Sequence, residues 1–176
     1  MVQNVSDSID TTDGRMDIFV TYPGEDRTHP VVLFYMDALG IREELRDMAR
    51  RIAAEGYFVV LPNLYYRNVQ TSSAEYAETP VDSRVDYARH IDNRMVLQDT
   101  AAILRYVESD PRADAASVGA VGYCMSGAFV LAVAGTYPAS IKCAASVYGV
   151  NLVTESDETP HLLANRVAGE LYFACA

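Results

Sequence analysis

One cysteine in this chain stands where it can act as a nucleophile. Cys124 lies between Gly122 and Ser126, with Gly127 next. Ahead of it runs Ser117-Val118-Gly119-Ala120-Val121, and behind it Ala128-Phe129-Val130-Leu131-Ala132-Val133-Ala134. The first run is apolar with β-branched members and reads as a buried strand; the second is apolar on every side and reads as a buried helix. A strand that turns abruptly into a helix thrusts the side chain at the turn out over the top of a sheet. So tight a turn calls for small residues two positions to either side, here Gly122 and Ser126. The usual pattern of this elbow has glycine where Ser126 stands. At the start of a helix the partial positive charge favours thiolate over thiol. The N–H of Met125, without a partner inside the helix, is free to hold a developing oxyanion. The chemistry on offer is attack on an acyl carbon. The plainer reading of any free cysteine is a buried thiol, and Cys143 and Cys175, each inside an apolar strand-like run, are expected to be that.

The elements that must position Cys124 can be read on either side of it. Met16–Tyr22 reads as a first strand, followed by a turn at Tyr22-Pro23-Gly24-Glu25-Asp26. Val31–Met36 is uniformly apolar, as in a strand buried on both faces of a parallel sheet. After Asp37-Ala38-Leu39-Gly40, the spacing of Ile41, Leu45, Met48, Ala49, Ile52 and Ala53 predicts a helix over 41–55, with Arg42 and its charged neighbours outward and Gly56 as the stop. Tyr57–Leu61 is the next buried strand, which completes a βαβ unit with a right-handed crossover. The polar stretch Arg67–Arg89 is expected to be a long excursion, partly helical towards its end, forming a wall of the site. A helix over 92–108 follows, then the elbow strand and helix, a strand over 141–148, a mixed polar segment and a final strand over 170–176. Strands alternating with helices define an α/β fold in three layers with a mostly parallel sheet.

Composition narrows the function. Half of the 176 residues are hydrophobic and the formal net charge is −10, which argues against nucleic acid and an anionic membrane surface as partners. No apolar run is long enough to span a bilayer, and the first residues lack the basic-then-apolar pattern of a signal peptide. Three cysteines without framework spacing suit a reducing cytoplasm. No His/Cys cluster has metal-ligand spacing. Arg84 and Arg89 in the polar stretch, and Arg94 just beyond it, read either as grips for an anionic substrate or as solvated surface charges.

With these residues in place, the chain resembles the dienelactone hydrolase family, cysteine-using α/β-hydrolases. The resemblance covers Met16 to the last residue. It rests on Val118-Gly119-Ala120-Val121-Gly122-Tyr123-Cys124-Met125-Ser126-Gly127, on Gly56-Tyr57 through Pro62-Asn63-Leu64-Tyr65, on Val147-Tyr148-Gly149-Val150 and on the spacing between Gly40 and Gly56. It implies hydrolysis of lactones and related esters, with no metal or organic cofactor, in the cytoplasm, by a monomer or small homo-oligomer. Carried over, Cys124 is the nucleophile, and the N–H groups of Met125 and Ala38 form the oxyanion hole. Asp37 takes the place of a glutamate that holds the resting thiol, one methylene shorter. Tyr148 joins Arg84 and Arg89 as a candidate substrate contact. Asp37 is otherwise read as a helix cap, though an early one.

The family's triad order is nucleophile, acid, histidine. The resemblance places the acid just after the last strand and the histidine later, both beyond residue 176. The chain is therefore expected to be a single hydrolase domain, 1–176, cut short at its C-terminal end. Of its own histidines, His29 precedes a strand at the wrong edge, His90 lies in the excursion, and His161 follows the post-elbow strand near Asp157 and Glu158. Two other readings remain open: a hydrolase-shaped scaffold that binds a small molecule or partner without turnover, and a redox-sensing thiol at Cys124.

Overall fold

The computed structural model describes residues 1–175; Ala176, expected to end the last strand, lies outside the described residues. Seven strands make one sheet: β1 (Val2–Thr11), β2 (Gly14–Pro23), β3 (His29–Tyr35), β4 (Phe58–Pro62), β5 (Ala113–Tyr123), β6 (Ile141–Val147) and β7 (Glu170–Ala174). Their order across the sheet is β1-β2-β4-β3-β5-β6-β7. From β4 to β7 the neighbours are parallel, while β1–β2 and β2–β4 are antiparallel. Five helices accompany them: α1 (Glu43–Ala54), α2 (Ala74–Glu78), α3 (Val85–Ala88), α4 (Asn93–Ser109) and α5 (Ser126–Thr136).

The connections fix where the helices lie. The chain moves from β3 to β4 in one direction along the sheet, through α1. It then doubles back over β3 to β5, through α4, and continues to β6 through α5. Right-handed crossovers put α1 on one face and α4 with α5 on the other. The reversal makes the C-terminal ends of β3 and β5 a topological switch point, the place where open α/β sheets bind ligands. Those two ends are neighbours, with Tyr35 paired to Gly122. The core runs through here: Leu33, Phe34 and Tyr35 of β3, Met36 just after it, and Phe58–Leu61 of β4 are fully buried. Among the described residues, no helix is long and apolar enough to cross a membrane.

Four sequence expectations need correction. A strand over 2–11 was not anticipated, yet β1 pairs with β2 along its whole length around the two-residue turn Thr12-Asp13. The helix after β3 begins at Glu43 and not at Ile41: Arg42 is extended (φ −145°) because its side chain folds back onto the preceding loop. The 67–89 excursion is more ordered than expected. It holds α2, a 3-10 turn over Val81–Arg84 and α3, with Ser73 capping α2 by accepting the Tyr76 N–H. Cys143 and Cys175, expected to be buried thiols, are exposed. Cys143 belongs to the flank of the sheet beyond β5, where α5 and the segment after β6 pack on one side, whereas α1, on the other side, packs against β1, β2 and β4.

Candidate active site

The elbow is built by steric necessity. At Gly122, a Cβ would lie 2.3 Å from the Ser126 carbonyl oxygen, so only glycine lets β5 turn directly into α5. Cys124, at the apex, takes φ +54°, a left-handed conformation that costs a non-glycine residue about 1 kcal/mol or more and persists only when its surroundings enforce it. They do so by hydrogen bonds. The Cys124 N–H donates to Val147 O of β6 (3.0 Å), and the Cys124 carbonyl accepts from the N–H groups of Gly127 and Val150 (3.1 Å each). Tyr148, with φ +52°, sits at the adjacent end of β6, and its N–H donates to Ala174 O of β7. Gly127 meets Gly149 so closely that a Cβ on Gly127 would come within 2.3 Å of the Gly149 Cα. The elbow and the end of β6 thus share one backbone-to-backbone contact. Cys124 itself is solvent-exposed.

Ser126, the departure from the usual glycine, has a structural part. It is fully buried, and its hydroxyl donates to Met36 O at the end of β3, tying the elbow to the loop across the switch point. That loop carries Asp37 and Ala38. Among the described residues, the N–H groups of Ala38 and Met125 have no hydrogen-bond acceptor. Both stay available for a developing oxyanion.

The structure brings Cys124, Met125, Ala38 and Asp37 to one edge of the sheet. It gives Asp37 specific partners: Arg42 grips both carboxylate oxygens (Nη1 to Oδ1 2.7 Å, Nη2 to Oδ2 2.9 Å), and the Leu39 N–H donates to Oδ1 at 3.0 Å. The Asp37 hydrogen bond in turn raises the Arg42 pKa, so the guanidinium stays charged. No hydrogen bond joins Asp37 to the Cys124 thiol among the described residues. Arg42, which helical spacing had placed on the solvent side of α1, was legible only after the loop had folded.

Tyr65 is a second residue that the sequence named only as part of a motif. It is fully buried beneath the site. Its hydroxyl donates to Ala38 O at 2.7 Å and approaches the Met125 sulfur at 3.9 Å. Burial drives its pKa well above the ordinary tyrosine value, and the nearby acidic groups, Asp37 among them, add to the rise. The hydroxyl is a permanent donor.

The three arginines separate. Arg84 is buried, lies 3.9 Å from the centre of the Tyr76 ring and donates to Tyr76 O, while its Nε is buried with no partner among the described residues. Tyr76 in turn donates to Ile41 O, so this cation stands one ring away from the loop after β3. Arg89 is in solvent, 3.5 Å from Asp86, and Arg94 is exposed. The Tyr148 side chain is exposed beside the elbow.

None of the histidines is hydrogen-bonded to Cys124 or Asp37 among the described residues. His29 begins β3, at the opposite end of the sheet, and shares a hydrogen bond with Gly56 O. His90 follows α3, and His161 is bonded to the Thr159 hydroxyl.

A cavity of about 240 Å³ opens beside the elbow, lined by Met125, Ala128 and Phe129 on one side and Ala88, Ile91 and Asn151 on the other. A larger one, about 670 Å³, lies between the β1–β2 hairpin and α1, bounded by residues such as Arg15, Phe19 and Arg46. Only the smaller touches a residue of the elbow.

A mostly parallel sheet with a strained strand-to-helix turn at its switch point has the layout of the α/β-hydrolase fold. The chain belongs to the dienelactone hydrolase family, whose model matches residues 16–176. A Synechocystis relative named "Putative carboxymethylenebutenolidase" is 24% identical over 147 residues, 82% of this chain and 59% of that protein. Carboxymethylenebutenolidase 1 of Cupriavidus pinatubonensis is 27% identical over 152 residues, 84% of this chain and 63% of its own length. The chain spans about half the length of the curated relatives it matches. Among solved structures, one described as a "Putative Dienelactone Hydrolase" from Klebsiella pneumoniae superposes with a TM-score of 0.84 over 98% of this chain and 72% of the other. At 21% identity, that likeness speaks for the fold.

Proposed function

We propose that this chain carries the nucleophile of an esterase or lactonase that works through Cys124. The observation that carries the reading is the pair of unpartnered N–H groups, Met125 and Ala38, set on the two strand ends that flank a cysteine held at φ +54°. The Cys124 thiolate attacks the acyl carbon, forming a C–S bond. The carbonyl electrons move onto oxygen, where the two N–H groups stabilise them. Collapse breaks the C–O bond, and the alcohol or enol oxygen leaves and takes up a proton. Water then hydrolyses the thioester, giving a carboxylic acid and restoring the thiol.

The relatives' name, carboxymethylenebutenolidase, describes a lactone that bears a carboxyl group. Arg84 supports a similar charge on the substrate of this chain: it is a buried cation with an unpartnered N–H and without a carboxylate ion pair among the described residues. Such a group gains from an anion placed against it. Three free cysteines suit action in a reducing compartment.

The test is acylation by p-nitrophenyl acetate, followed by p-nitrophenolate release and intact mass. Wild type is expected to release product and gain one acetyl group on Cys124, and Cys124→Ala to do neither. Equal release by both proteins would remove the reading. The exposure of Cys124 and the absence of a histidine bonded to it among the described residues favour a second reading, a redox-sensing thiol. Sulfenic acid at Cys124 under mild peroxide, without acylation by the ester, would put that reading first.

A further inference from the structure

We infer that Tyr65 is a positioning residue that sets the Ala38 N–H of the oxyanion hole, acting from beneath the site with Asp37 and Arg42 as the opposing grip. The inference rests on the acyl-transfer reading of Cys124.

The argument turns on one peptide plane, that between Ala38 and Leu39. Its carbonyl accepts the Tyr65 hydroxyl hydrogen at 2.7 Å, and its N–H donates to Asp37 Oδ1 at 3.0 Å. A peptide unit is rigid and planar, so partners on its two opposite poles fix its rotation. With that plane fixed, residue 38 has lost its freedom on the C-terminal side. The plane on its N-terminal side, which carries the Ala38 N–H, is held at its Asp37 carbonyl by the Gly40 N–H (3.1 Å), and the peptide before it is tied to Ser126 through Met36 O. The N–H is left free of partners and aimed by its neighbours.

Each grip is itself held. The Tyr65 N–H donates to Asn63 Oδ1 (3.0 Å), and the Tyr65 ring packs against Tyr87 with centroids 5.5 Å apart. Asp37 is clamped by two hydrogen bonds from Arg42. Gly40, φ +76°, closes the turn where a Cβ would lie 2.5 Å from the Tyr76 hydroxyl and 3.2 Å from the Tyr65 ring. Tyr65 also reaches the other donor, since its hydroxyl lies 3.9 Å from the Met125 sulfur. One buried hydroxyl therefore bears on both residues whose N–H groups would meet the oxyanion. A misaimed donor is costly because the oxyanion's position differs little from that of the ground-state carbonyl oxygen.

The experiment compares two reactions of the same thiol. Acylation by p-nitrophenyl acetate passes through an oxyanion, whereas alkylation by iodoacetamide does not. Tyr65→Phe removes only the donor oxygen. It is expected to slow Cys124 acylation by about tenfold to hundredfold, through kcat and not KM, and to leave the alkylation rate at the wild-type level. Arg42→Gln, which frees Asp37 from its clamp, is expected to show the same split, and it decides the matter if Tyr65→Phe does not fold. An unchanged acylation rate overturns the inference and leaves the acyl-transfer reading standing. Acylation and alkylation slowed alike overturn it too, because the thiol itself would then be disturbed. Wild type without any Cys124-dependent acylation removes the underlying reading together with the inference.

Discussion

The two sides of the candidate oxyanion hole are held in place in opposite ways. The Met125 side is local: Gly122, Cys124, Ser126 and Gly127 lie within six consecutive residues, and the turn they make is imposed by backbone collisions that larger residues would suffer. The Ala38 side is held from afar. Tyr65 comes from the segment after β4, Tyr76 from α2, and Arg42 from the start of α1. The first side resists change because it has almost no alternative conformation. The second depends on polar groups, each of which can be removed singly. A rigid donor on one strand end thus faces an adjustable one on the other, and the adjustable one is where reactivity can be tuned without unfolding the sheet.

The comparison is broken most forcefully on the local side. Gly122→Ala sets a methyl group 2.3 Å from the Ser126 carbonyl oxygen and 2.9 Å from Val130 Cγ1. Backbone and helix must shift, at a cost of about 3 kcal/mol. For a chain of this size that lowers Tm by roughly 6–12 °C. Calorimetry is expected to show this loss together with lost acylation of Cys124. A variant as stable as wild type would mean that the elbow is less constrained than its geometry states.

On the distant side, Arg42→Gln leaves a mostly buried Asp37 without its guanidinium. The ion pair is about one-fifth exposed on each side, so the loss is set at about 2 kcal/mol, read from urea midpoints. A cycle with Tyr65→Phe sharpens the comparison. Both substitutions loosen the same peptide, so their effects on acylation are expected to be less than additive. Full additivity would show that they act on different parts of the site.

What the sequence made legible follows the same division. The elbow was readable because its requirement is written in neighbouring residues. The order of α1, β4, α4, β5 and α5 was readable from apolar spacing, which is also local. Arg42 was misread as a solvent-facing residue, since nothing in its spacing says that the chain folds back by five residues onto Asp37. Tyr65 sits in a recognisable motif, but its partner Ala38 is 27 residues away. β1 was overlooked for a different reason: at the sheet edge its exposed positions are filled by Ser, Asp and Asn, which dilute the alternation of a strand. The Asp13-Gly14 pair just after it was the usable signal, a hairpin dipeptide between two extended runs. Cys143 and Cys175 misled because an apolar strand is expected to be covered on both faces, and near β7 it is not.

The smallest effect is expected at the far end of the sheet, and it tests whether the site is independent of its scaffold. Asp110, just before β5, is held by Arg112 through Nε to Oδ1 (2.8 Å), Nη2 to Oδ2 (2.6 Å) and its backbone N–H (2.9 Å). Arg112 also lies 4.3 Å from the centre of the Tyr22 ring, which stacks on Phe58. The Arg112 side-chain hydrogen bonds hold the Asp110 carboxyl below the ordinary aspartate range. The folded state therefore binds this proton more weakly than the unfolded chain. The resulting stabilisation is complete above the ordinary aspartate pKa and is lost as pH falls through the depressed folded value. Asp110→Asn is expected to cost about 1 kcal/mol at neutral pH, because one member of the pair is partly in solvent. The gap to wild type should close as the solution is made acid. Alkylation of Cys124 should not change at any pH where both proteins are folded, since Asp110 and Cys124 lie at opposite ends of β5. A slower thiol in this variant would mean that strain at the foot of β5 reaches the elbow, and the division between a locally fixed turn and a remotely held loop would have to include the length of the strand itself.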